Sequence, residues 1–176
     1  MTVRRAITGL AAGLLLAGPA SAAEPGCAPP DDVVLAALNA LRARPQHCGS
    51  QLMPAAPALG WQLQLAESSL RYAHELAARD RIAHVGPAGE SLQQRLAEVG
   101  YPLWRAGENL AGGQQTLDEV LAAWLASPAH CENLMTPVFE DAGLACVRGP
   151  GELRTYWVLN LGAVKRALRS SPDRSP

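Results

Sequence analysis

Four cysteines, widely spaced along the chain, constrain its fold more than any other feature of the sequence, because each oxidised pair holds two distant segments together. They are Cys27, Cys48, Cys131 and Cys146. No two of them form the C-x-x-C spacing that is typical of zinc or thiol-redox sites. In an oxidising compartment this even number predicts two disulfides, and spacing alone leaves every pairing open.

The N-terminus predicts that the chain reaches such a compartment. Arg4 and Arg5 form a basic region, residues 6–18 are apolar, and Ala20-Ser21-Ala22 supplies the small residues that a signal peptidase accepts. The apolar stretch is shorter than the roughly 20 residues that a membrane-spanning helix needs, so a retained anchor is the weaker alternative. We therefore expect a signal peptide over residues 1–22 and a secreted or periplasmic mature chain without a transmembrane segment.

Size and charge exclude other classes of protein. A chain of 176 residues with 48% hydrophobic content is long enough for one domain with a substantial core. It carries 15 Lys and Arg residues against 16 Asp and Glu residues, and its formal net charge is −1. This balance provides no basic surface for nucleic acid.

Apolar periodicity and capping signals divide the chain into short elements. A Pro-rich lead-in occupies residues 23–30, the folded domain is expected over residues 31–164, and a polar, disordered tail over residues 165–176. Helices are predicted from Asp31 or Asp32 to Arg44, from Gln62 to Arg81, from Ser91 to Val99, from Thr116 to Leu125 and from Pro128 to Met135, the last with Ser127 as its N-cap. Capping boxes are predicted for Ser91 with Gln94 and for Thr116 with Glu119. Strand patterns cover Leu144–Arg148 and Thr155–Leu161, whereas residues 46–57 are predicted to be an irregular loop. Helical layers with a small antiparallel sheet indicate an α+β domain.

Two of the four histidines, together with one glutamate, are candidates for chemistry. His84 ends the long second helix, His130 lies in the first turn of the last helix, and Glu108 lies between them in the sequence. Imidazole and carboxylate groups are suited to divalent metals and to acid–base chemistry. His74-Glu75 lacks the second histidine of a zinc-protease helix, and His47 is expected to be solvated. Spacing alone does not bring the three candidates together.

Several motifs follow one another in order along the chain: Leu38–Arg42, Leu59–Trp61, Ala83–His84, Gly100–Tyr101, Gly107–Ala111, Trp124–Met135 and Tyr156–Val158. This ordered series resembles the CAP superfamily, also called SCP-like or pathogenesis-related-1-like domains, in its bacterial branch. This resemblance implies a three-layer α-β-α sandwich. It also implies that His84, Glu108 and His130 line a central cleft, with Asn109 and Ser127 beside them.

The resemblance also carries expectations about a metal and about the disulfides. Relatives from plants and animals hold two histidines and two acidic residues in this cleft, sometimes with a divalent metal. Here Ala126-Ser127-Pro128 occupies the segment of the second acid, and Ala83 replaces a common serine, so a zinc site would consist of His84, His130 and Glu108 alone. The implied disulfides are Cys48–Cys131 and Cys27–Cys146.

Three functional hypotheses follow. The first is a non-enzymatic binding module whose cleft takes a small ligand, a lipid or an extracellular polymer, because the sequence contains no G-x-S-x-G nucleophile motif. The second is a metal-dependent hydrolase that uses His84, Glu108 and His130. In the third, Glu108 bridges the two imidazoles in a buried polar network with a purely structural role.

Overall fold

The structure, a computed structural model, describes residues 26–165. The expected signal peptide and nearly all of the expected tail lie outside these residues. Within them, no helix is long and apolar enough to cross a membrane. The elements, in chain order, are α1 (Asp31–Arg42), β1 (Gln46–Cys48), β2 (Gln51–Met53), β3 (Gly60–Trp61), α2 (Leu63–Arg79), α3 (Leu92–Glu98), β4 (Leu103–Gly112), α4 (Leu117–Ala126), α5 (Pro128–Met135), β5 (Asp141–Arg148) and β6 (Thr155–Val164).

The main sheet has the strand order β3-β5-β6-β4. Strand β6 is antiparallel to both β5 and β4, while the two-residue strand β3 runs parallel to β5. Strands β4 and β3 were not predicted from the sequence. Residues 103–112 include glycine, glutamate and asparagine instead of alternating β-branched residues, so pairing with β6, and not local propensity, makes this segment a strand.

The sheet separates two apolar layers. Leu159 and Leu161 of β6 pack with residues of α1, α4 and α5, whereas Tyr156 and Val158 pack with residues of α2. Successive residues of a strand face opposite sides, so a single strand contributes to both layers. This arrangement confirms the α+β class and the α-β-α sandwich.

Helix boundaries follow the predicted capping signals only in part. Ser91 and Gln94 form the expected capping box at α3, and Gly100 after that helix has a φ of 71°. Helix α1, however, begins after Pro30, so Asp31 and Asp32 lie in its first turn, where their charges favour the helix dipole. The predicted loop over residues 46–57 contains the hairpin of β1 and β2, which no apolar alternation signals.

The two remaining caps also differ from expectation. Thr116 accepts a hydrogen bond from the Glu119 amide at 3.2 Å, but the Glu119 carboxylate binds the Gln115 amide instead of closing a capping box. Ser127 is the N-cap residue of α5, with Pro128 in the first turn, yet its hydroxyl makes no capping bond. Pro128 favours the helix start through its fixed φ and has no amide that would need a partner there.

Both disulfides are those that the family resemblance implies. Cys27–Cys146 joins the lead-in to β5, and Cys48–Cys131 joins the β1–β2 hairpin to α5. Among the described residues no cysteine is free. The second bridge therefore holds the hairpin against the helix that carries His130.

Candidate functional site

The carboxylate of Glu108 lies at the centre of the candidate site. Protonated Nδ1 of His84 donates a hydrogen bond to its Oε1 at 2.8 Å, and Nη2 of Arg95 donates to its Oε2 at 2.6 Å. The side chain of Glu108 is 3% exposed, that of Arg95 7% and that of His84 59%. One buried carboxylate thus joins a buried guanidinium to an imidazole that faces solvent.

The segment that carries His84 is fixed through its backbone. The Tyr72 hydroxyl donates to the carbonyl of Ala83 at 2.5 Å, and Nη1 of Arg95 donates to the carbonyl of His84 at 3.3 Å. Both bonds come from buried side chains, one on α2 and one on α3. His84 is therefore positioned by the same layer that buries Glu108.

Arg95 and Tyr72 are site residues that the sequence analysis missed. The guanidinium carbon of Arg95 lies 3.5 Å from the centre of the Tyr72 ring, a cation–π contact. A signal was present in the sequence, because Arg95 lies between Leu92 and Leu96 on the face of α3 that packs inward. A charged residue at such a position requires a buried partner, which is Glu108.

Strand β4 forms an edge of the main sheet, and side chains cover that edge. Nδ2 of Asn133 donates to the Glu108 carbonyl at 3.3 Å and to Oδ1 of Asn109 at 3.0 Å, while Nε1 of Trp124 donates to the Leu110 carbonyl at 3.1 Å. The bonds to the Glu108 and Leu110 carbonyls occupy backbone groups that an exposed edge would otherwise offer to another strand. Asn133 also links α5 to the strand that carries Glu108.

His130 joins the site indirectly. Nδ2 of Asn109 donates to the His130 carbonyl at 3.0 Å, and Asn109 itself is fully buried. Asn109 therefore positions α5 instead of facing a ligand. His130 is half-buried in the first turn of α5, with partly exposed Ser127 at the start of that helix. His84 is thus hydrogen-bonded directly to Glu108, whereas His130 is linked to β4 through the bond between its carbonyl and Asn109.

The two histidines have pKa values shifted in opposite directions. The hydrogen bond to Glu108 raises the pKa of His84 above its ordinary 6.5, although partial burial opposes this. Burial, and secondarily the charge of His84, lowers the pKa of His130 below 6.5. Near pH 6.5 the His84 ring is therefore protonated to a greater extent than the His130 ring.

These shifts predict how stability depends on pH. A raised pKa for His84 means that the folded state binds its proton more tightly, so this contribution is complete below pH 6.5 and is lost as the pH rises through the folded pKa. For His130 the unfolded state binds the proton more tightly, so stability is lost as the pH falls below 6.5. We expect the combined contribution of the two histidines to be greatest near pH 6.5.

NMR titration of the imidazole signals measures both values. His84 should titrate above 6.5 and His130 below it. In the Glu108→Gln variant the pKa of His84 should fall below 6.5, because the carboxylate is removed while the cost of burial remains. An unchanged His84 titration in this variant would contradict the assigned hydrogen bond.

The hydrogen bonds of Glu108 do not fit the zinc site that the family resemblance suggests. Both oxygens of Glu108 already accept hydrogen bonds, and one of the donors is the permanently charged Arg95. A divalent cation at this carboxylate would therefore displace His84 and face the guanidinium. Among residues 26–165, no group of three or more His, Cys, Asp or Glu residues is arranged to hold a metal ion.

Fold and site together define an α-β-α sandwich with a histidine–carboxylate–guanidinium array along one sheet edge. Residues 35–161 match the CAP family, described as the cysteine-rich secretory protein family, and the chain belongs to it. The uncharacterized protein YkwD of Bacillus subtilis is 30% identical over 83 residues, which are 47% of this chain and 32% of that protein. This chain thus corresponds to only part of that relative.

Solved structures share the fold at low sequence identity. An extracellular SCP-domain protein from Bacillus anthracis is 23% identical, with a TM-score of 0.61 over 74% of this chain and 39% of that protein. An outer surface protein from Borrelia burgdorferi is 22% identical, with a TM-score of 0.65 over 76% of this chain and 92% of that protein. Both are named as proteins found outside the cell or at its surface.

Proposed function

We propose that this chain is an exported binding domain that holds ligands without catalysis, and that His84 makes the central contact. The observation that carries this proposal is the state of Glu108, whose two oxygens are both engaged and whose side chain is 3% exposed. A carboxylate that is buried in this way and binds two donors does not reach a substrate as a general base. Its role is to orient the His84 ring and to favour the protonated form of that ring.

The chemistry of the ligand follows from the imidazole that remains accessible. Because Nδ1 of His84 donates to Glu108, Nε2 is the ring nitrogen left for an external partner. The raised pKa of His84 favours the protonated ring, which presents a charged N–H donor. The complementary ligand group is an acceptor with negative charge, such as the carboxylate of an extracellular polymer or the phosphate of a lipid headgroup.

Export is supported by two observations besides the N-terminal pattern. Two disulfides link distant parts of the chain, and such bonds persist mainly in oxidising compartments. Two proteins of similar fold are named as extracellular or outer-surface proteins. We therefore place the binding site outside the cytoplasm, in the periplasm or beyond the cell.

Binding can be tested with probes that separate the possible sources of the acceptor. Polygalacturonate represents a carboxylate polymer, and vesicles of phosphatidylcholine with phosphatidylglycerol represent a lipid surface. We expect one of these probes to shift the His84 imidazole signals at pH 6, and the His84→Ala variant to bind it at least about tenfold more weakly, as expected for the loss of a charged hydrogen bond.

His74→Ala is the matched control, because His74 is an exposed histidine on α2 outside the site. It should bind the probe as the parent protein does. Equal binding by the His84 variant, or no response of His84 to any probe, would rule the proposal out. So would reproducible hydrolysis of a peptide or ester that is lost in His130→Ala, since that result would establish an enzyme.

A further inference from the structure

Three buried polar groups on the side of the sheet that carries Glu108 contain atoms without a hydrogen-bond partner. In the described part of the chain, both side-chain amide atoms of Asn160 are without a partner, and so are Oγ of Ser68 and Nε of Arg95. Asn160 is 0% exposed, Ser68 2% and Arg95 7%. Buried polar atoms in folded proteins are almost always hydrogen-bonded, either to protein or to ordered water.

The sheet register places Asn160 next to Glu108. On β6, Asn160 is paired with Glu108 of β4 on one side and with Gly143 of β5 on the other. Residues paired directly across antiparallel strands direct their side chains to the same face. That face is covered by α2, because a Cβ added at Gly143 would lie 2.7 Å from the Cα of Ala66. The amide of Asn160 is thus enclosed between the sheet and α2, beside the Glu108 carboxylate.

Ser68 and Arg95 are buried on α2 and α3, two helices that contact each other. Ser68 precedes Tyr72 by one turn on the buried face of α2, and the Tyr72 ring lies against the Arg95 guanidinium. Arg95 in turn donates to Glu108. Unpartnered polar groups of β6, α2 and α3 are therefore buried on the side of the sheet that contains the Glu108–Arg95 ion pair.

We propose that Asn160, Ser68 and Arg95 bind one or more internal water molecules between α2 and the sheet, and that Asn160 is thereby a positioning residue for Glu108 and His84. Water fits this set because the set contains both donors and acceptors: an amide, a hydroxyl and a guanidinium N–H. The adjacent Glu108–Arg95 pair is neutral in sum, and the charge of protonated His84 is on a side chain that faces solvent. A water bound to Nε of Arg95 fixes the plane of the guanidinium. The guanidinium then holds Oε2 of Glu108, and Oε1 is left to accept from His84.

The hydration site does not depend on the ligand proposed above, and only its effect on His84 concerns that proposal. The first experiment uses the unmodified protein and measures NMR cross-relaxation between water and the side-chain amide protons of Asn160. We expect direct water contacts at these buried protons. Their absence would overturn the inference whatever the behaviour of any variant.

The second experiment removes the polar group. In Asn160→Leu, water-oxygen magnetic relaxation dispersion should show the loss of at least one long-lived internal water, and the pKa of His84 should move down towards 6.5. Asn160→Ser keeps a hydroxyl and space for water, so it should retain both properties. Val158→Ala is the control, because it opens space on the same face of β6 among apolar residues, where a cavity stays dry.

Each outcome has a separate meaning. An unchanged number of long-lived waters in Asn160→Leu would overturn the hydration site. Loss of the water with an unchanged His84 titration would overturn the positioning role and leave the hydration site standing. Neither result would decide whether His84 binds a ligand, which the probe titrations measure independently.

Discussion

Replacing Gly143 with alanine is expected to lower the free energy of unfolding by about 4 kcal/mol or more, which places it among the most damaging single substitutions in a domain of this size. The added methyl group would overlap the backbone of Leu65 and Ala66 at the start of α2. Backbone atoms of a helix do not rotate away as a side chain does. The whole of α2 would have to move off β5, carrying Ser69, which donates to the Gly143 carbonyl at 2.9 Å.

Gly60→Ala is the matched control for this substitution. Gly60 lies on β3, which pairs with β5, and the atom nearest to a Cβ at this position is 3.8 Å away, an ordinary contact. Urea unfolding with intact disulfides should give a large loss of stability at position 143 and a change below about 1 kcal/mol at position 60. Similar stability for the two variants would mean that α2 does not pack on the sheet as closely as described.

The contrast between α3 and β4 shows what the sequence alone could predict. Ser91 and Gln94 interact within one helical turn, so their capping box is a local signal, and the structure confirms it. Strand β4 has no such signal: its register with β6 depends on residues some fifty positions later in the chain. The cap of α3 could therefore be predicted from residues within one turn, whereas an edge strand of mixed composition is defined by its neighbours.

The same difference separates the site residues that were predicted from the sequence from those that were not. Motif order singled out His84, Glu108 and His130, and the first two are in direct contact. Arg95 was missed because its partner is not local: it pairs with a carboxylate on another element. Arg42 shows the same limit, since its buried guanidinium donates to the carbonyls of Pro57, Leu134, Thr136 and Phe139, which only the folded chain brings together.

Arg42 and Arg95 are both buried, but their different partners give them different roles. Desolvation lowers the pKa of Arg42 to about 10, and its partners are neutral carbonyls that link α1 to the end of α5. Arg95 instead faces a charged partner, so its role is electrostatic as well as structural. Of the two arginines, Arg95 is the one that determines the charge of the candidate site.

Replacing Arg95 with methionine is therefore expected to lower the free energy of unfolding by about 3–5 kcal/mol, because it leaves the Glu108 carboxylate buried without its permanent cation. A second readout distinguishes this effect from simple loss of packing. The charge of Arg95 opposes protonation of His84, so the pKa of His84 should rise further in this variant. NMR titration and urea unfolding at pH 7 measure the two effects on the same protein.

Two further variants test this explanation for Arg95. Arg71→Met breaks the Glu67–Arg71 pair on α2, whose side chains are 51% and 57% exposed, and should cost less than about 1 kcal/mol. The double variant Arg95→Met/Glu108→Leu removes both buried charges and should recover a large part of the stability lost in Arg95→Met. If the double variant were instead less stable than the single one, packing by the guanidinium, and not its charge, would be what holds α3 against the sheet.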